Sequence, residues 1–442
     1  MYTNIFELDL NNDYNDSEKF INKKYTFNNN EYNIVKYNKE TLDKYKDSED
    51  YFNTLSKYRS VIIKNDKLIC YSPAKSINYD KFIEKYNINN SWVEDFIDGT
   101  MINVFYDVNN ETWEIATKST VGGNILFFND VKTYNYFNIT NTNDNNNSNK
   151  VNYTFRSMFF EACNLNNFDL NTLDRKYTYT FILQHPFNRI VTPISMPTIY
   201  LIKIYEIINK IDEKKAIIKE LNLQNFISSV PYIFLNTGVK FINKYPITDN
   251  FDSVKNYYTS KEIPYYCVGC MIYNEDGTRS KLRNNNYENV RKLRGNQPKL
   301  QYNYLCLKQE NKIKEFLYYY PEHTFIFNKF KLKVFEYTNQ LFMNYISCFI
   351  RKEKVLKEYD FKFKNHMYKL HEKYKSELKP NNKNIDKKFV IDYFNNLHPS
   401  QQMFVINYSG ETSTYAVNKE ETQDVIMNQD VIMNNESFVM VN

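Results

Sequence analysis

Between Val61 and Leu282 the chain repeats one local device: a short run of β-branched and aromatic residues ends in turn chemistry and is answered by a second run. Val61–Ile63 and Leu68–Cys70 flank Lys64-Asn65-Asp66-Lys67, Met101–Tyr106 and Trp113–Thr117 flank Asn109-Asn110, and Cys267–Tyr273 meets Ser280–Leu282 across Asn274-Glu275-Asp276-Gly277. Asn, Asp and Gly tolerate the left-handed backbone that tight hairpins need. Strands joined in this way pair antiparallel with their neighbours, because a parallel pair needs a crossover of a dozen or more residues. The fold class is therefore α+β with antiparallel sheets rather than a doubly wound parallel sheet. Tyr177, Tyr179, Phe181 and Leu183 alternate with Thr178, Thr180 and Ile182 as a further strand, whereas Asp169–Lys176 and Pro197–Leu221 read as helical.

From about Phe325 the period changes. Phe330, Val334, Thr338, Leu341 and Tyr345 form one helical stripe, and Tyr359, Phe363, Met367, Leu370, Tyr374 and Leu378 form a second, with lysines on the opposite face. A helical C-terminal domain follows the sheets, and its lysines read first as a solvated face. The expected organisation is an N-terminal extension over 1–50 with helix-like spacing at Leu42, Tyr45 and Tyr51, a sheet-bearing domain over 51–300, the helical domain over 301–410 and a tail over 411–442. The tail repeats a hexapeptide, Gln423–Asn428 as Gln429–Asn434, and two copies are too few for a solenoid. The Asn-rich run from Asn138 to Asn147 buries nothing and reads as a surface loop.

A length of 442 residues is enough for two domains that need no metal or disulfide staple. Forty Tyr and 33 Phe supply apolar bulk, while 8 Gly and 11 Pro leave little room for a loop-rich architecture. The 57 basic residues exceed the 52 acidic ones by only five, so a polyanionic partner is permitted but placement must decide. Cys267 and Cys270 have metal spacing without a second ligand pair, the five histidines are scattered, and no metal site is proposed. No signal sequence opens the chain, and the apolar stretch Ile194–Ile211 is broken by Pro197, Lys203, Glu206 and Lys210, so neither secretion nor a membrane is expected.

Basic residues stand on or beside the expected strands. Arg59 precedes the first hairpin, Lys75 follows it, Lys118 ends the second, and Lys281 and Arg283 share one face of the last strand, where two cations at that spacing suit a phosphate chain. Their order and context resemble the phage-type RNA ligases, within the ATP-dependent covalent nucleotidyltransferases. Arg59-Ser60-Val61-Ile62-Ile63 is similar to that family's Arg-Gly-apolar strand, Pro73–Asn78 to its Lys-Phe-Phe-Asn segment, and Asp95-Phe96-Ile97-Asp98-Gly99-Thr100 to its Lys-x-Asp-Gly motif. Trp113–Ser119 resembles the strand with a phosphate-side lysine, and Tyr179–Val191 the Phe-Glu stretch with its trailing Asn-Arg-Ile-Val. Val268–Ile272 stands for Glu-Gly-x-Val, and Lys281-Leu282-Arg283-Asn284 with Tyr287 for Lys-x-Lys. The match runs from Arg59 to about Tyr287, with registers anchored by Gly99, Pro186 and Gly269.

The resemblance implies an ATP-grasp-like ligase domain of antiparallel sheets over 51–300, with Arg59, Lys75, Asp98, Lys118, Lys281 and Arg283 as nucleotide- or RNA-binding residues. It also exposes a pattern of loss. Phe96 stands where the family's nucleophilic lysine stands, Ile182 where a glutamate holds the ribose, and Val268 where a glutamate helps place the metal ion. A phenyl ring is no nucleophile, and two apolar side chains cannot ligate magnesium. The expected protein binds nucleotide or RNA ends without forming a covalent intermediate, and no cofactor is assigned to it. Its alternatives are an active RNA ligase using ATP and Mg with Lys75 or Lys118 as relocated nucleophile and Asp98, Glu94 or Asp95 as metal ligands, and a structural or assembly protein on a ligase fold. A protein partner is expected, if anywhere, at the C-terminal domain or tail. Base composition with these motifs resembles large DNA viruses of protists, which implies a host cytoplasm.

Overall fold

The computed structural model describes residues 2–11, 14, 16–45, 48, 53–126 and 153–408. Tyr51, the Asn-rich run and the hexapeptide tail lie outside the described residues. The chain divides into two compact units, with the boundary between Lys292 and Leu293.

In the first unit, a large sheet runs in the order β1 (Tyr2–Asp9), β11 (Lys215–Leu221), β10 (Thr198–Lys210), β9 (Tyr177–Gln184), β7 (Thr100–Asp107) and β8 (Thr112–Ala116), with β12 (Lys240–Phe241) parallel to β10. A second sheet is β2 (Phe20–Phe27), β3 (Asn30–Tyr37), β4 (Val61–Lys64) and β5 (Lys67–Tyr71), and a third is β13 (Lys244–Pro246), β6 (Ser91–Asp95), β14 (Gly269–Asn274) and β15 (Arg279–Arg283). Except at β12, the ladders within these sheets are antiparallel. The Lys64–Lys67 hairpin forms as its turn residues require, with φ of 50° at Asn65 and 59° at Asp66.

The stretch expected to be a helix over Pro197–Leu221 is instead the β10–β11 hairpin. Five isoleucines in thirteen residues favour the pleated surface, Ile199 and Leu201 point into the core, and a register shift between Leu201 and Lys203 blurs the two-residue period. Asp169–Lys176 likewise holds a single 3-10 turn, Leu170–Thr172, before β9. The first fifty residues are not an addition either. β1 pairs with β11, β3 pairs with β4, and the short helix Lys39–Lys44 carries Leu42 into the core they share.

The large sheet packs one face on helix Phe155–Leu165 through Phe159, Phe181 and Tyr179, and the other on the second sheet through Val35, Ile63, Tyr205 and Ile218. Two buried lysines in these layers are paired with carboxylates, which offsets their desolvation. Lys64 meets Asp107 at 2.8 Å, and Lys203 meets Glu220 at 2.7 Å with its ammonium 4.3 Å from the ring centre of Tyr273 on the third sheet.

The second unit, over its described residues 293–408, is helical. Helix Thr324–Tyr345 buries Phe330, Val334, Thr338, Leu341 and Tyr345, and helix Phe361–Lys373 buries Phe363, Met367 and Leu370, the two stripes read from the sequence. Helices Leu300–Gln309, Lys387–Asn395 and Pro399–Asn407 pack with them. No helix among the described residues is long and apolar enough to cross a membrane.

Candidate functional site

Two groups of residues in the first unit gather the positions singled out from the sequence. The first centres on Lys118. Residues 117–120 close on themselves, with Thr117 N donating to Thr120 O at 2.9 Å, which sets Lys118 in a tight turn at the end of β8. Its ammonium lies 5.7 Å from the ring centre of Tyr37, and beside it the buried Lys36 donates to Ser119 Oγ at 3.1 Å. Backbone bonds bring in the other cations. Tyr37 N donates to Tyr58 O at 2.6 Å, next to Arg59, and Lys75 N donates to Ser56 O at 3.0 Å. Burial first, and then the charges of Arg59, Lys36, Lys75 and Lys39, hold the Lys118 amine down to about 7. Arg59, Lys75 and Lys118 are thus brought together. Lys36 and Lys39, which the sequence reading did not single out, join them from β3 and the helix after it.

The second group lies where the chain crosses from the third sheet to the large one. β6 ends at Asp95, Phe96–Gly99 make the crossing, and β7 begins at Thr100. Gly99 is dictated by space: a Cβ there would sit 2.5 Å from Leu183 O and 2.6 Å from Ile182 Cγ2. Ile182 therefore packs directly on the motif glycine. The buried Asp98 accepts from Val191 N (3.0 Å) and Thr192 N (2.9 Å) through Oδ2 and from the Tyr287 hydroxyl (2.8 Å) through Oδ1. Burial and this carboxylate push the Tyr287 hydroxyl well above its ordinary range. Asp98 is a clamp between three segments, so its oxygens are committed to the fold.

Phe96 is half-buried, with the Arg283 guanidinium carbon 5.6 Å from its ring centre. Arg283 also meets Glu288 at 3.0 Å. Val268 is buried, and its carbonyl accepts from Asn284 N at 2.9 Å. On β15, Arg279, Lys281 and Arg283 share the half-buried face while Ser280 and Leu282 are buried, the alternation expected. Arg279, missed from sequence, fastens the Lys75 segment to this strand. Its guanidinium donates to Pro73 O at 3.2 Å and from Nε to Ala74 O at 3.1 Å, and Ile77 N donates to Arg279 O at 2.9 Å.

Each carboxylate named from the sequence as a magnesium ligand already holds hydrogen bonds within the fold. Asp98 is spent as described, Asp95 Oδ2 accepts from Asn243 N and Nδ2 at 3.1 and 2.9 Å, and Glu94 accepts from Trp92 Nε1 at 2.9 Å. Among the described residues no three His, Cys, Asp or Glu side chains cluster as metal ligands.

No family model matches the sequence, and no curated protein does. Solved structures to which the chain is similar include the RNA ligase of Naegleria gruberi with AMP and manganese, at 10% identity over 65% of this chain and 84% of that one, with a TM-score of 0.30. The same enzyme with ATP and manganese gives 11% identity over the same shares and a TM-score of 0.30. An archaeal ATP-dependent RNA ligase gives 9% identity over 71% of this chain and 67% of that one, with a TM-score of 0.33. These are RNA ligases, the family whose motifs the sequence resembles. Likeness at this level carries no residue role across.

Proposed function

We propose that this protein binds nucleotide or the phosphate end of an RNA through the cations around Lys118 and does not transfer a nucleotidyl group. The observation that carries this reading is the gathering of Arg59, Lys36, Lys39 and Lys75 about the half-buried Lys118, whose basicity desolvation and then these charges lower, since such a site gains most from an anion. Lys281 and Arg283 extend the cationic surface along β15. The reacting positions support the second half of the reading, because Phe96, Ile182 and Val268 offer neither nucleophile nor oxygen ligand and Asp98 serves the fold. Fluorescence anisotropy with triphosphate-ended single-stranded RNA tests the binding: saturable, salt-sensitive association is expected. Absence of binding at low salt, or binding indifferent to Arg59→Ala with Lys118→Ala, overturns it.

One observation favours a second reading. An amine held near 7 is largely neutral at pH 8 and able to attack phosphorus, so Lys118 rather than Lys75 is the candidate for a relocated nucleophile in an active RNA ligase-type nucleotidyltransferase. The step would form a phosphoramide bond from Nζ to the α-phosphate of ATP and release pyrophosphate. A protein label from α-labelled ATP that Lys118→Arg abolishes would establish this reading and displace the first.

A further inference from the structure

Charge in this chain is segregated by region. Residues 1–292 carry 35 Lys and Arg against 35 Asp and Glu, residues 293–408 carry 21 against 11, and residues 409–442 carry 1 against 6. The helical region is thus +10 and the tail that follows it is −5. At the point where they join, the helical unit shows apolar surface. Phe361 is 64% exposed, Phe404 55% and Tyr368 52%. The Tyr408 ring lies 5.9 Å from both Phe361 and Phe404, and Lys362 Nζ donates to Tyr408 O at 3.4 Å. Exposed aromatic rings grouped beside lysines are unusual on a lone surface and mark a place that something covers.

The tail has the matching chemistry. Its hexapeptide sets Asp424 before Val425-Ile426-Met427 and Asp430 before Val431-Ile432-Met433, with Glu420 and Glu421 ahead and Glu436 and Phe438 behind. Eleven residues separate Tyr408 from Glu420, so the tether gives the segment a high local concentration at the unit it leaves. We propose that residues 420–438 dock on the exposed face of the helical unit around Phe361, Tyr368 and Phe404, with the Val-Ile-Met triplets on the rings and the acidic residues against its lysines.

Zero-length carbodiimide coupling of the full chain tests this directly, because it joins only carboxylates and amines in contact. An equal mixture of unlabelled and 15N-labelled protein separates links within one chain from links between chains. The expected result is same-chain amide links from Glu420, Glu421, Asp424, Asp430 or Glu436 to lysines between Lys329 and Lys388, reduced several-fold by 0.5 M salt (roughly a 4 Å screening length) and by Phe361→Ser with Phe404→Ser. Circular dichroism of that double variant confirms that the helices remain, and the tail variant Val425→Ser with Ile426→Ser, Val431→Ser and Ile432→Ser reduces the same links without touching the helical unit. Links confined to mixed-isotope pairs would assign the face to a second copy, and links to residues 1–292 would assign the tail elsewhere. Unlinked carboxylates with RNA shielding the same lysines from acetylation would assign the face to RNA. Each of these three results overturns the proposal.

Discussion

The two halves of the candidate site have kept different things. Around Lys118, four further cations are drawn toward one half-buried amine, an arrangement costly to the folded chain and relieved by an anion. Around Phe96, Asp98 clamps Val191, Thr192 and Tyr287, and Arg283 divides itself between Glu288 and the Phe96 ring. The difference teaches that, on the proposed reading, the cations that would bind an anion and the positions that would react sit on separate elements. Here the gathered positive charge lies on the β3–β8 side, and the crossing between sheets is ordinary packing.

Removing the charge should have the largest effect. Arg59→Ala with Lys118→Ala is expected to weaken binding of triphosphate-ended RNA by about 100-fold or more at low salt, since each charge-assisted hydrogen bond contributes about 1.5–3 kcal/mol. An equal loss in Phe96→Ala would erase the distinction between the two corners. Asp98→Asn turns one acceptor into a donor facing other donors, and should cost about 2 kcal/mol of stability in urea unfolding. Affinity of the folded variant should stay within about threefold of the parent, and a larger loss would return Asp98 to the ligand site.

The pH dependence should sharpen the comparison further. The free amine of Lys118 loses its proton as pH rises through about 7, while a bound phosphate favours the ammonium form. Affinity should therefore be fully present below pH 7 and fall by up to about tenfold per pH unit above it, with proton uptake visible by calorimetry in buffers of different ionisation enthalpy. Lys118→Arg should flatten the profile. Stability runs the opposite way: the unfolded chain binds the proton up to about pH 10.4, so the cost of burying Lys118 charged is present below 7 and is relieved as pH rises toward 10. The smallest change belongs to Phe96→Ala, where loss of the guanidinium contact is worth about 0.5–1 kcal/mol and Arg283 retains Glu288.

Much of this was legible in local sequence and the rest was not, for physical reasons. The turn at Asn65-Asp66 announces its hairpin because left-handed backbone is chosen residue by residue. The stripes Phe330–Tyr345 and Phe363–Leu370 announce helices because the period repeats over several turns. Thr198–Lys210 misled because isoleucines and lysines at mixed spacing suit either period, and its pairing with β9 and β11 decides the matter. Arg59, Lys75 and Lys118 could be named from motif order. Lys36 could not, since its approach to Ser119 depends on β3 pairing with β4, a long-range event with no local signature.

The separation of binding from transfer is tested most directly by incubating the protein with α-labelled ATP and manganese at pH 8 and counting label before and after denaturation. Label retained on the native protein by filter binding and absent after denaturation is the outcome expected of a site that holds phosphate without reacting. Label that survives denaturation as an acid-labile adduct and disappears in Lys118→Arg would contradict it.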